Sequence, residues 1–203
     1  MQRYGKGRVL AFSFMVVILS ACELLVEDHT EAEFAQTIVG QCFKINHPSF
    51  LYKTTCAVPD SKFSAIGKCY SIQAFGNRKN GIDTPNSMEA YLAKREYWDN
   101  QMFNQYESWK SRYRTISFSV EKGTKLVPKR MLSYPMDEST RVWVVRAYLL
   151  SDEFKDIEIE LPVHGNQLSP YWVQPRYVVE PVVAPDLVEE FVTRCDGEEF
   201  TPR

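Results

Sequence analysis

The chain has 203 residues, a formal net charge of −2, 44% hydrophobic and 13% aromatic residues. That length suffices for one well-buried domain or two small ones, and the aromatic content excludes a disordered stalk. A slightly acidic balance excludes a general electrostatic pull toward nucleic acid or an anionic lipid surface. Residues 1–8 carry Arg3, Lys6 and Arg8 and no acid, and residues 9–19 (VLAFSFMVVIL) are an almost unbroken apolar run followed by Ser20, Ala21 and Cys22. A basic start, a short apolar stretch and small residues at a cut site describe a secretory signal peptide over 1–21. The run is about half the length a membrane-spanning helix needs.

The tetrad Leu19-Ser20-Ala21-Cys22 resembles the lipobox of bacterial lipoproteins. The resemblance implies diacylglycerol on the Cys22 thiol, cleavage before it, and a further acyl chain on the new amino group. Two or more chains hold a protein to a bilayer stably. Residue 23 is Glu, not the Asp that marks inner-membrane retention in that family, which points to the outer membrane, facing the periplasm. The expected organisation is a signal peptide at 1–21, a lipidated tether at 22–30 and a single globular envelope domain at 31–203. The mature chain of 182 residues then carries a net charge of −5. Cys42, Cys56, Cys69 and Cys195 remain, and in an oxidising compartment an even number predicts two disulfides. Three pairings are open; the preferred one joins Cys56 to Cys69 and Cys42 to Cys195. Spacings this wide do not resemble a zinc site.

Along the domain, Thr30 with Glu33 predicts a capped helix over 31–38, ended by Gly40. Gln41–Ile45, Phe50–Thr55 and Ala65–Phe75 read as strands, separated by turn-rich segments. Asn86 with Glu89 predicts the cap of one long helix. Along it Met88, Tyr91, Leu92, Trp98, Met102, Tyr106 and Trp109 recur at helical steps, with a break near Asp99-Asn100. That stripe reads as core, or as a partner-binding face. Ile116, Phe118 and Val120 alternate with serines. Lys125–Leu132 is a strand bulged or at an edge because of Pro128. Arg141–Leu150 is a central strand and Asp156–Leu161 a half-exposed one, so that 116–161 forms a β-meander. Five prolines then punctuate the chain between Pro162 and Pro185, with short strands at Tyr171–Val173 and Tyr177–Val179, before a C-terminal helix Leu187–Arg194 capped by Asp186. The fold class is mainly β: a small antiparallel barrel or sandwich, disulfide-stapled, with one long and one short helix.

Lys122-Gly123-Thr124-Lys125-Leu126 followed by the strand residues Val142-Trp143-Val144-Val145 resembles part of a bacterial SH3-type barrel, in which a diverging turn precedes a Trp-bearing strand. The resemblance implies peptidoglycan or peptide binding and carries over no binding residue. The nucleophile-elbow, HExxH, phosphate-loop and dinucleotide patterns are absent from the sequence. His29 falls in the tether, His47 and His164 in turns. Asp137-Glu138 and Asp152-Glu153 lie in turns, and Glu158 and Glu160 share one strand face as a small acidic patch. Lys94, Arg95, Lys110, Arg112 and Arg114 interleave with aromatics, but an acidic envelope protein is no nucleic-acid binder. The expectation is a non-catalytic lipoprotein without cofactor or metal. It binds the membrane through Cys22 and an envelope protein or peptidoglycan through its domain. The alternatives are an inhibitor or ligand binder of a cell-wall hydrolase, or a cell-wall enzyme.

Overall fold

The computed structural model describes residues 26–55, 69–78, 83–103, 114–136, 140–154, 157–163 and 167–195. Its strands are β1 (Glu27–Asp28), β2 (Phe43–Ile45), β3 (Ser49–Thr54), β4 (Cys69–Ala74), β5 (Ile116–Val120), β6 (Lys125–Pro135), β7 (Arg141–Leu150), β8 (Glu158–Glu160), β9 (Val173–Gln174), β10 (Asp186–Leu187) and β11 (Val192–Arg194). Helices α1 (Met88–Ala93) and α2 (Arg95–Phe103) lie between β4 and β5. One nine-stranded sheet runs β11-β2-β6-β7-β8-β4-β3-β5, with β1 added to β6, and β9-β10 is a separate pair.

That order closes on itself. Strands β2 and β3 are one run of chain interrupted at Asn46–Pro48, and β5 and β6 one run interrupted by the Glu121–Thr124 turn. Phe43 faces Leu126 and Ser49 faces Val120 in a single antiparallel register. Across the gap Ile45 N–H donates to Thr124 O at 2.9 Å and Gly123 N–H to Ile45 O at 2.8 Å. Gly123 takes φ +88°, a conformation that favours glycine. The result is a barrel with, among the described residues, one parallel pair, β4·β8. Inside it lie Leu51, Ile72, Val120, Val145, Ala147 and Ile159. On β7, Trp143, Val145, Ala147 and Leu149 join that core, as does Val142 at the strand's start, while Val144 joins Leu132 and Val26 in a small cluster.

The mainly β, stapled fold follows the sequence expectation, with corrections. β6, β7 and β8 form the antiparallel meander, but β5 pairs with β3, not β6, so the meander does not begin at residue 116. The register shift at Pro128–Arg130 is the bulge that proline demanded. The long helix is two short ones broken at Lys94, because Lys94 leaves helical geometry with φ −141°. Its cap is Ser87, whose Oγ accepts from Ala90 N–H at 3.1 Å, not Asn86. The first helix is a 3-10 turn, Glu33–Thr37. The C-terminal helix is absent: residues 187–194 form β10, a turn and β11, because β2 offers a free edge that pairs Val192–Arg194 with Ile45–Phe43. Of the two short strands in the proline-rich segment, the first is β9 and the second only a bridge from Tyr177 to Val142. Residues assigned to the tether also fold: Glu27 and Asp28 pair with Ser133 and Leu132.

Candidate functional site

Cys42 and Cys195 form a disulfide across 153 residues, tying β11 to the start of β2. Cys69 is likewise disulfide-bonded; Cys56, its expected partner, and Cys22 lie outside the described residues. Cys69 Sγ sits 3.3 Å from Glu160 Oε1. Glu160 is not part of an exposed acidic patch: β8 places it opposite Arg146 of β7, Nε to Oε2 3.8 Å, both 1% exposed.

One cluster has the composition of a hydrolytic triad. Ser133 Oγ and His29 Nε2 are 2.9 Å apart, and Glu27 Oε2 is 3.5 Å from the same nitrogen. Arg141 Nε donates to Ser133 Oγ at 3.0 Å and lies 3.3 Å from Glu27. A working relay sets the acid on the imidazole's other nitrogen and leaves the hydroxyl open to substrate. Here acid and hydroxyl share Nε2, and Ser133 is 0% exposed. Burial holds the His29 imidazole below its ordinary range, against the pull of Glu27. The ring packs edge-on to Trp143 at 5.1 Å and tilted against Phe34 at 5.8 Å. The cluster therefore braces β1 against β6. His29 is not the solvated tether residue its neighbours in the sequence imply.

A groove of about 1000 Å³ is lined by β10 and β11 together with Thr37, Ile38, Phe43, Gln174 and Pro175. β11 ends the large sheet and β10 pairs only with β9 among the described residues, so strand edges form two of its walls. Arg194 braces the wall: its guanidinium donates to Thr37 O at 2.6 Å and lies 5.9 Å from the Phe43 ring. Asp186 and Glu189 line the groove beside Arg194. Such edges can add a strand from an extended segment, with backbone hydrogen bonds supplying affinity. A smaller pocket of about 360 Å³ joins His47, Arg78 and Glu190 beside Phe75 and Phe191. Among the described residues no three His, Cys, Asp or Glu side chains gather where a metal could be held, and no helix is long and apolar enough to cross a membrane.

The other candidates scatter. His164, Asp137, Glu138, Lys110, Arg112, Tyr106 and Trp109 lie outside the described residues. Asp152 and Glu153 are exposed on a 3-10 turn pinned by buried Phe154. From the helical stripe, Tyr91 and Met102 are buried against Phe50, Tyr52 and Ile116 on the barrel's outer wall, whereas Leu92 is exposed. Arg95 lies 3.6 Å from Asp99, and Arg114 is buried. The groove is not legible in the sequence, because its walls come from segments more than a hundred residues apart. No family model, curated protein or solved structure matches the chain.

Proposed function

We propose that this protein is an envelope lipoprotein, acylated on Cys22 and set in the outer membrane facing the periplasm, whose domain is a non-catalytic binding or assembly module. The observation that carries the reading is Leu19-Ser20-Ala21-Cys22 directly behind a basic start and a short apolar run. The Cys42–Cys195 disulfide suits an oxidising compartment. The strand-edged groove offers a surface for an extended segment of an envelope protein or a peptidoglycan peptide. The test is metabolic labelling with an alkyne palmitate, with intact mass of the membrane-extracted protein. Label and acyl mass on the wild type, both lost in Cys22→Ser, support the reading. A cytosolic wild-type chain with residue 1 intact and free thiols overturns it.

A second reading, an inhibitor of a cell-wall hydrolase, draws on Asp152 and Glu153, held outward on their turn, to enter a basic cleft. Charge reversal at both positions that leaves hydrolase binding and activity unchanged removes it.

A further inference from the structure

The way β1 docks determines where a Cys22 anchor can reach. Glu27 pairs with Ser133 and Asp28 with Leu132 in antiparallel register. The N-terminal end of β1 thus points toward the end of the β6–β7 hairpin, where Tyr134 and Pro135 close β6. Val26 is already packed against Leu132 and Val144. Four residue steps separate Val26 from Cys22, and a fully extended chain covers at most about 14 Å in that span.

An apolar patch lies at that same hairpin end. Met136 is 53% exposed, Tyr177 39% and Val179 52%. They are neighbours by backbone pairing: Met136 N–H donates to Thr140 O, Val178 N–H to Arg141 O, and Tyr177 bridges Val142. Arg176 lies over the rings of Tyr171 and Tyr177, at 4.1 and 5.2 Å, leaving a cation and two tyrosines at the edge of the patch. Tyrosines and arginines of this kind suit the headgroup layer. The neighbouring acids Asp137, Glu138 and Glu180 in the sequence mean that charge does not draw this end to an anionic surface. Contact there requires the covalent anchor and apolar insertion.

We propose that the Met136–Tyr177–Val179 end of the barrel is the membrane-contact surface, seated on the bilayer that holds the Cys22 lipid. The proposal rests on the lipoprotein reading above. Strand β7 then stands away from the membrane. Leu150, eight residues beyond Val142 on that strand, is about 26 Å from the patch at strand rise, and it too is partly exposed.

The test uses the full-length lipidated protein in phosphatidylethanolamine/phosphatidylglycerol vesicles, with p-benzoylphenylalanine in place of Met136, Val179 or Leu150. The expected result is vesicle flotation by all three, with lipid crosslinking severalfold higher at 136 and 179 than at 150. Inserting about a dozen Gly/Ser residues between Glu23 and Leu24 frees the domain, and should lower that crosslinking while flotation persists. Flotation with equal crosslinking at all three sites, or more at 150, overturns the contact surface and leaves the lipid anchor standing. A wild-type protein that neither floats nor carries acyl mass overturns both.

Discussion

Replacing Cys42 and Cys195 together by serine removes the longest covalent constraint in the domain. The bridge closes a loop of 153 residues, and on the chain-entropy model opening such a loop frees about 5 kcal/mol of unfolded-state entropy at 25 °C. The native side changes little. Val192, Thr193 and Arg194 still pair with Ile45, Lys44 and Phe43, Arg194 still donates to Thr37 O, and Trp172 still stacks on Phe191 at 5.2 Å. The expected loss is therefore about 3–5 kcal/mol, most of a typical domain's stability. Urea unfolding followed by tryptophan fluorescence measures it, with the oxidised wild type as reference. The m-value should rise, because an unbridged unfolded chain exposes more surface. A loss below about 1 kcal/mol with unchanged m would mean that something other than this bridge restrains the unfolded chain.

Three further outcomes follow from buried contacts. Gln73→Leu should cost about 3 kcal/mol or more by thermal unfolding, because it strips hydrogen bonds from Leu168 O, Pro170 O and Trp172 Nε1 at once. Burial lowers the His29 pKa, so the unfolded chain binds more protons as pH falls past about 6.5 and stability declines from there downward. His29→Gln should flatten that decline in unfolding curves between about pH 7 and pH 5, and an unaltered slope would assign it to other groups. A fluorophosphonate probe should leave Ser133 unlabelled in the folded protein, and labelling lost in Ser133→Ala would restore the hydrolase reading that its 0% exposure opposes.

The elements that sequence reveals best are those whose pattern no partner can change. Arg141–Leu150 reads as a strand because β-branched and aromatic residues fill it, and it is one. The proline at 128 forced a bulge wherever that strand went. The C-terminal segment failed for a physical reason. Leu187, Val188, Phe191 and Val192 fall at helical steps, yet the same residues meet the free edge of β2, and strand pairing outweighs local periodicity. The pairing of β5 with β3 and the parallel β4·β8 contact were equally hidden, since both join segments distant in sequence. His29 reads as tether from its neighbours; Trp143, more than a hundred residues away, and Phe34 make it a packed ring.

The buried polar strip on the barrel's outer wall connects these pieces to the groove. Ser71 and Gln73 on β4, Glu160 on β8 and Arg146 on β7 point away from the apolar interior, yet all are buried. Apolar residues there would bury as well, so burial alone does not explain them. What they add is direction. Ser71 Oγ donates to Glu160 O, Gln73 to Leu168 O and Pro170 O, and Tyr52 Oη accepts from Leu168 N–H. A hydrophobic wall would let the proline-rich return segment slide; these bonds set its register, since any shift leaves buried carbonyls unpaired. That register places Trp172, whose N–H meets Gln73 and whose carbonyl accepts from Val188 N–H. Trp172 in turn precedes β9 and lies under Phe191, and so sets where β10 and β11 stand apart. Gln73 thus holds the residue from which the chain continues into β9 and the groove's Gln174 and Pro175.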